Sequence, residues 1–80
     1  MITVNIRYFA IFREQRNEPG ETLTVARCTP RDLFRRLTAE HGFTLAESMV
    51  RYAVNETFVS GDEPLQDGDE LVFIPPLAGG

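Results

Sequence analysis

Apolar and polar residues alternate from the start of the chain, with Ile2, Val4, Ile6 and Tyr8 set against Thr3, Asn5 and Arg7. A period of two is that of a strand with one face buried. Phe9 breaks the pattern and puts a large aromatic on the polar face. Residues Ala10–Asn17 have helix-favouring composition and predict a short helical turn, and Pro19-Gly20 marks a turn. Glu21–Arg27 predicts a second strand with Leu23 and Val25 inward, so that the first two strands form a hairpin with a broad loop. From Thr29 the period lengthens. Thr29 suits a helix N-cap, Pro30 the first helical position and Asp32 the positive end of the helix dipole. Leu33, Phe34 and Leu37 share one face, Arg31, Arg35, Arg36 and Glu40 take the other, and Gly42 is the natural stop.

Beyond the helix, Phe43–Met49 reads as a loop with one helical turn. Arg51–Asn55 and Thr57–Val59 read as a short strand pair, or one bent strand, around Asn55-Glu56. Turns at Gly61–Pro64 and Asp67–Asp69 flank Leu65, which is expected to plug the core. Glu70–Ile74 is dense in β-formers and predicts the last strand, and Pro75-Pro76 ends it by removing two ladder donors. A mixed sheet over one main helix fits this order, with the first and last strands parallel at the centre. That is an α+β fold of the β-grasp (ubiquitin-like) type, although another small α+β fold satisfies the same order. The expected division is a β-grasp domain over residues 1–74 and an extended tail over 75–80.

Eighty residues bury only ~60–65% of their unfolded surface, so each large apolar residue counts, and the six Phe supply much of the core volume. No run is long enough to span a membrane, and no basic-then-apolar leader opens the chain. The formal net charge of −4 argues against a nucleic-acid surface, because all the basic residues are Arg and they are scattered among acids. Cys28 and His41 are the sole Cys and His, which excludes an internal disulfide and any thiol-based zinc site and fits a reducing, cytoplasmic setting. No catalytic constellation and no Gly-rich phosphate loop can be assembled, so catalysis by the chain alone is not expected. Cys28 reads as a small buried filler rather than a thiol relay. Asp67, Asp69 and Glu70 lack EF-hand spacing and read as a solvated turn able to steer a basic partner. Arg13 and Arg16 could contact a partner, with solvated charge as the default reading.

The chain finishes Ile74-Pro75-Pro76-Leu77-Ala78-Gly79-Gly80. Two glycines give little to a stable fold. They do suit a narrow channel, where they could place one carboxylate deep inside a partner. The alternative is a frayed terminus. Arg7-Tyr8-Phe9-Ala10 with Arg13-Glu14, Thr29-Pro30-Arg31-Asp32-Leu33, Ala53-Val54-Asn55, Pro64-Leu65-Gln66-Asp67-Gly68-Asp69-Glu70 and Phe73-Ile74-Pro75-Pro76-Leu77-Ala78-Gly79-Gly80 together resemble the small subunit of molybdopterin synthase, the MoaD family. The likeness spans nearly the whole chain.

The resemblance implies a sulfur carrier. Its Gly80 carboxylate is adenylated with ATP by an activating enzyme of the MoeB type and converted to a thiocarboxylate (1-thioglycine). The tail, Pro75, Pro76, Leu77, Ala78 and Gly79, then enters a large subunit of the MoaE type. Sulfur passes to cyclic pyranopterin monophosphate, two carriers together building the dithiolene. No metal and no resident cofactor are implied. Carriers for thiamine or cysteine synthesis, and protein modifiers joined to lysine through Gly80, use the same activated carboxylate, while an interaction module with an inert tail would not. The six tail residues reach at most ~20 Å. On the sheet face away from the helix, Phe9, Phe58, Val72 and Ile74 are expected to form an exposed apolar patch near the tail's base. Burial of Phe9 and Phe58 under a loop is the competing arrangement. In the resembling family, this face docks both partners.

Overall fold

The computed structural model describes residues 1–76. In it the N-terminal alternation becomes β1, Ile2–Tyr8, whose four inward side chains are almost wholly buried. The chain then forms α1 (Ala10–Arg16), β2 (Gly20–Val25), α2 (Pro30–His41), a 3-10 turn at Glu47–Met49, β3 (Arg51–Val54), β4 (Thr57–Val59) and β5 (Glu70–Ile74). The strands make one sheet in the order β2-β1-β5-β3-β4. β1 and β5 run parallel, and every other neighbouring pair is antiparallel. This is the mixed β-grasp sheet that the order of elements predicts. β5 stands at its centre.

α2 covers one face because its sequence caps both ends and buries one stripe. The Thr29 side chain accepts from the Asp32 N–H, and the Asp32 carboxylate accepts from the Thr29 N–H, a reciprocal capping box at a proline-led start. Gly42 ends the helix in the left-handed region, at φ 72, which costs glycine nothing. Leu33, Phe34 and Leu37 face the sheet. The Phe34 ring meets Phe73 of β5 edge-on, with centroids 5.3 Å apart, a geometry that aromatic quadrupoles favour.

Ala10–Arg16 forms two helical turns rather than a single one. Phe12 supplies the reason. It is fully buried, edge-on to Phe34 at 5.7 Å and to Phe43 at 5.2 Å, so α1 is pinned to the core. Arg16, read as solvated charge, is half-buried and binds Glu21, with its Nε donating to Oε2 at 3.0 Å. Tyr8 donates to the same oxygen at 2.5 Å. The Arg16 hydrogen bond holds Glu21 below the usual carboxylate range, while burial and the neighbouring carboxylate push Tyr8 up. The network ties α1 to the β1–β2 hairpin and thereby fixes Phe9, the residue that caps α1.

Two further expectations change. Asp67, Asp69 and Glu70 do more than form a solvated turn. Asp67 Oδ1 accepts from the Thr3 N–H at 2.7 Å, and Asp69 accepts from the Gln66 N–H at 2.8 Å and from Asn55 Nδ2 at 3.0 Å. The Glu70 N–H in turn donates to Asn55 Oδ1 at 3.0 Å. These side chains satisfy backbone N–H groups in the turn, at Gln66, and at the strand ends beside it, at Thr3 and Glu70. Cys28 is half-buried against the core, and burial, followed by the charge of Asp32, pushes its thiol up and makes it a poor nucleophile.

The β3–β4 hairpin turns on Asn55 (φ 51) and Glu56 (φ 71), both left-handed, as a two-residue type I′ turn requires. Asn adopts this backbone readily, whereas Glu adopts it under strain. Replacing Glu56 by Gly is therefore expected to stabilise the domain by about 0.5–1 kcal/mol. Thermal and denaturant unfolding of E56G against the parent chain measures this, and a loss of stability would reject the strain.

Candidate functional site

β5 divides its side chains between two faces. Leu71 and Phe73 are fully buried toward α2, while Val72 and Ile74 are half-buried on the far side. The register builds that far side. Val72 lies between Arg7 of β1 and Ala53 of β3, and Ala53 in turn pairs with Phe58 of β4. One residue on, Ile74 pairs with Arg51. Tyr8 pairs with Phe73, so Phe9 stands just past the ladder, level with Ile74. Phe9 is 48% exposed and Phe58 66%, so neither caps the core under a loop.

The face is divided laterally. Over β1 and β2 it is polar, with the Thr22 hydroxyl donating to Asn5 Oδ1 at 2.8 Å. Over β5, β3 and β4 it is apolar. Two guanidinium groups frame the apolar part, Arg7 at 6.0 Å from the Phe9 ring centroid and Arg51 at 5.4 Å from that of Phe58. The patch residues come from four separate segments, yet β5 gathers them because it lies between β1 and β3.

The same strand leads toward the chain end. Ile74 is its last ladder residue, Pro75 is half-buried and Pro76 is exposed. Each proline fixes φ and offers no N–H, so the sheet cannot extend along the segment. Leu77, Ala78, Gly79 and Gly80, on which the tail expectation rests, lie outside the described residues. Among the described residues no helix is long and apolar enough to cross a membrane, and no group of three or more His, Cys, Asp or Glu is placed to hold a metal ion.

Sequence reasoning missed Arg7, Arg51 and Ala53 as members of this face. The parity of Arg7 with Phe9 was a usable signal. Arg51 and Ala53 gave none, because strand pairing alone brings them beside Ile74 and Phe58.

The ThiS family model matches residues 6–80. A molybdopterin synthase sulfur carrier subunit of Drosophila melanogaster is 34% identical over 84 residues, covering 100% of this chain and 93% of the relative. The solved structure of a putative molybdopterin converting factor, subunit 1, from Pyrococcus furiosus superposes with a TM-score of 0.80 at 30% identity, covering 96% of this chain and 100% of that one. A complex of subunits 1 and 2 of the molybdopterin-converting factor from Helicobacter pylori contains a chain that matches with a TM-score of 0.68 over 99% of this chain and 100% of that one. At 23% identity that last likeness carries the fold.

Proposed function

The chain belongs to the ThiS family, and we propose that it is the sulfur carrier subunit of a molybdopterin synthase. The observation that carries this reading is how β5 ends. Its outward residues Val72 and Ile74 belong to the apolar face, and its last ladder residue runs straight into Pro75-Pro76. A partner that covers the face therefore also receives whatever follows Pro76, from a fixed point and in a restricted direction. That is the geometry of delivery.

The chemistry follows from the carboxyl group. A carboxylate resists substitution because oxide is a prohibitive leaving group. Adenylation at Gly80 by an ATP-using partner of the MoeB type replaces oxide with AMP, and a sulfur nucleophile displaces AMP to leave a thiocarboxylate. The thiocarboxylate is anionic at neutral pH and attacks the pterin precursor in the large subunit. Charge stabilisation belongs to the partner, and the carrier contributes position. Pro75 and Pro76 lower the entropy lost when Leu77, Ala78, Gly79 and Gly80 enter a channel. Phe9, Phe58, Val72 and Ile74 form the surface that seats the large subunit and the activating enzyme in turn. The setting is the cytoplasm.

Reconstitution tests this. Thiocarboxylated chain, mixed with the large subunit and cyclic pyranopterin monophosphate, is expected to yield dithiolene with two carriers consumed per product. Absence of product from an authenticated thiocarboxylate, alongside activity in a thiazole- or cysteine-forming system, would assign the sulfur to another pathway.

A further inference from the structure

Arg51 opens β3, directly across from Ile74 at the base of the tail. Arg7, Arg16, Arg31, Arg35 and Arg36 each have a carboxylate within salt-bridge range. Arg51 has none among the described residues. Its guanidinium instead lies over the Phe58 ring. Beside it, at the open end of the β3–β4 hairpin, is a depression of about 380 Å³ whose walls include Arg31, Arg51, Phe58 and Ser60. Gly61 forms part of the same wall and packs so closely that a Cβ there would stand 2.7 Å from the Tyr52 ring and 2.9 Å from Arg31. Asp62 pairs with Arg31 and neutralises it. The depression therefore holds one uncompensated cation against an aromatic wall, in a chain whose net charge is −4.

We propose that Arg51 receives a single carboxylate, an Asp or Glu side chain that the partner carries at the edge of its own apolar docking surface and places in this depression. The inference rests on the reading above that this face docks the large subunit. The Phe58 ring lies 5.4 Å from the guanidinium carbon and takes up none of its N–H donors. A carboxylate can pair with those donors in bidentate fashion while the cation–π contact is kept. Docking on the apolar face removes water from the pair and strengthens it. The depression does not suit a polyanion, because a single uncompensated cation there, on a chain of net charge −4, gives no extended positive field.

Arg7 provides the internal comparison. It also lies over an exposed Phe, but Glu70 stands 3.9 Å from it and already opposes its charge. Calorimetric titration of the full chain into the large subunit, at low and high ionic strength, decides the matter. Arg51→Gln is expected to weaken binding about tenfold at low salt and less at high salt. Arg7→Gln is expected to weaken it less than about threefold. Arg51→Glu should bind worse still. Replacing by Lys, one at a time, the acidic residues that border the large subunit's apolar surface should restore binding to Arg51→Glu at one position. Unfolding temperatures matching the parent's show that the losses are not misfolding. Binding of Arg51→Gln equal to the parent's, or equal losses at Arg7 and Arg51, overturns the contact and leaves the proposed function standing. Failure of the parent chain itself to bind the large subunit rejects that function, and this contact with it.

Discussion

A chain ending at Gly79 is expected to fold like the full-length chain and to transfer essentially no sulfur. The fold half of this expectation follows from where the core lies. Among the described residues its last member is Phe73, and β5 closes at Ile74, so core and sheet are complete before residue 80 is reached. The transfer half follows from geometry. Shortening by one residue withdraws the reactive carboxyl by about 3.5 Å. A displacement of about 1 Å at a reacting atom already costs on the order of a hundredfold in rate. Under the proposed function adenylation is expected to fail for the same reason, because an activating enzyme would have to reach the same carbon. Thermal unfolding and single-turnover dithiolene formation separate the two halves. Turnover within a few-fold of the parent would sink the mechanism. A large fall in unfolding temperature would mean that the terminal residue serves the fold.

The fold was legible because its local signals agree with one another. Thr29-Pro30-Arg31-Asp32 announces the helix start and Gly42 its end, and both hold to the residue. The alternation of Ile2, Val4, Ile6 and Tyr8 likewise fixed the inner face of β1. α1 was harder. Its one fully buried side chain is Phe12, with Ile11 partly buried beside it, and two adjacent apolar residues in seven give no period to read. The turn acids were misjudged because Asp67 and Asp69 act on Thr3 and Asn55, residues far away in sequence. The candidate face was legible in its aromatic members, which fall out of phase with the core. Arg51 and Ala53 were hidden, since their neighbours are chosen by sheet order, and sheet order is a long-range property.

Adjacent residues of β5 should separate stability from docking. Phe73 is fully buried, with the Phe34 ring at 5.3 Å, Tyr52 at 6.0 Å and Phe12 at 6.1 Å. Phe73→Ala leaves a cavity amid rings held in place by both helices, so little collapse can fill it. The expected cost is about 3–5 kcal/mol. Total stability for a domain of this length is roughly 4–12 kcal/mol, so the variant should be largely unfolded or melt on the order of 20 °C lower. Val72 lies one residue earlier and faces the other way, between Arg7 and Ala53. Val72→Thr keeps the β-branched shape that the strand favours and replaces a methyl by a hydroxyl. It should change stability by less than about 1 kcal/mol and weaken binding to the large subunit about tenfold, because the hydroxyl would be covered by an apolar partner without a hydrogen bond. Equal thermal losses in the two variants would mean that β5 does not divide its faces as described. Undiminished binding by Val72→Thr would mean that the partner seats elsewhere, since no hydroxyl at the centre of a dry interface goes unnoticed.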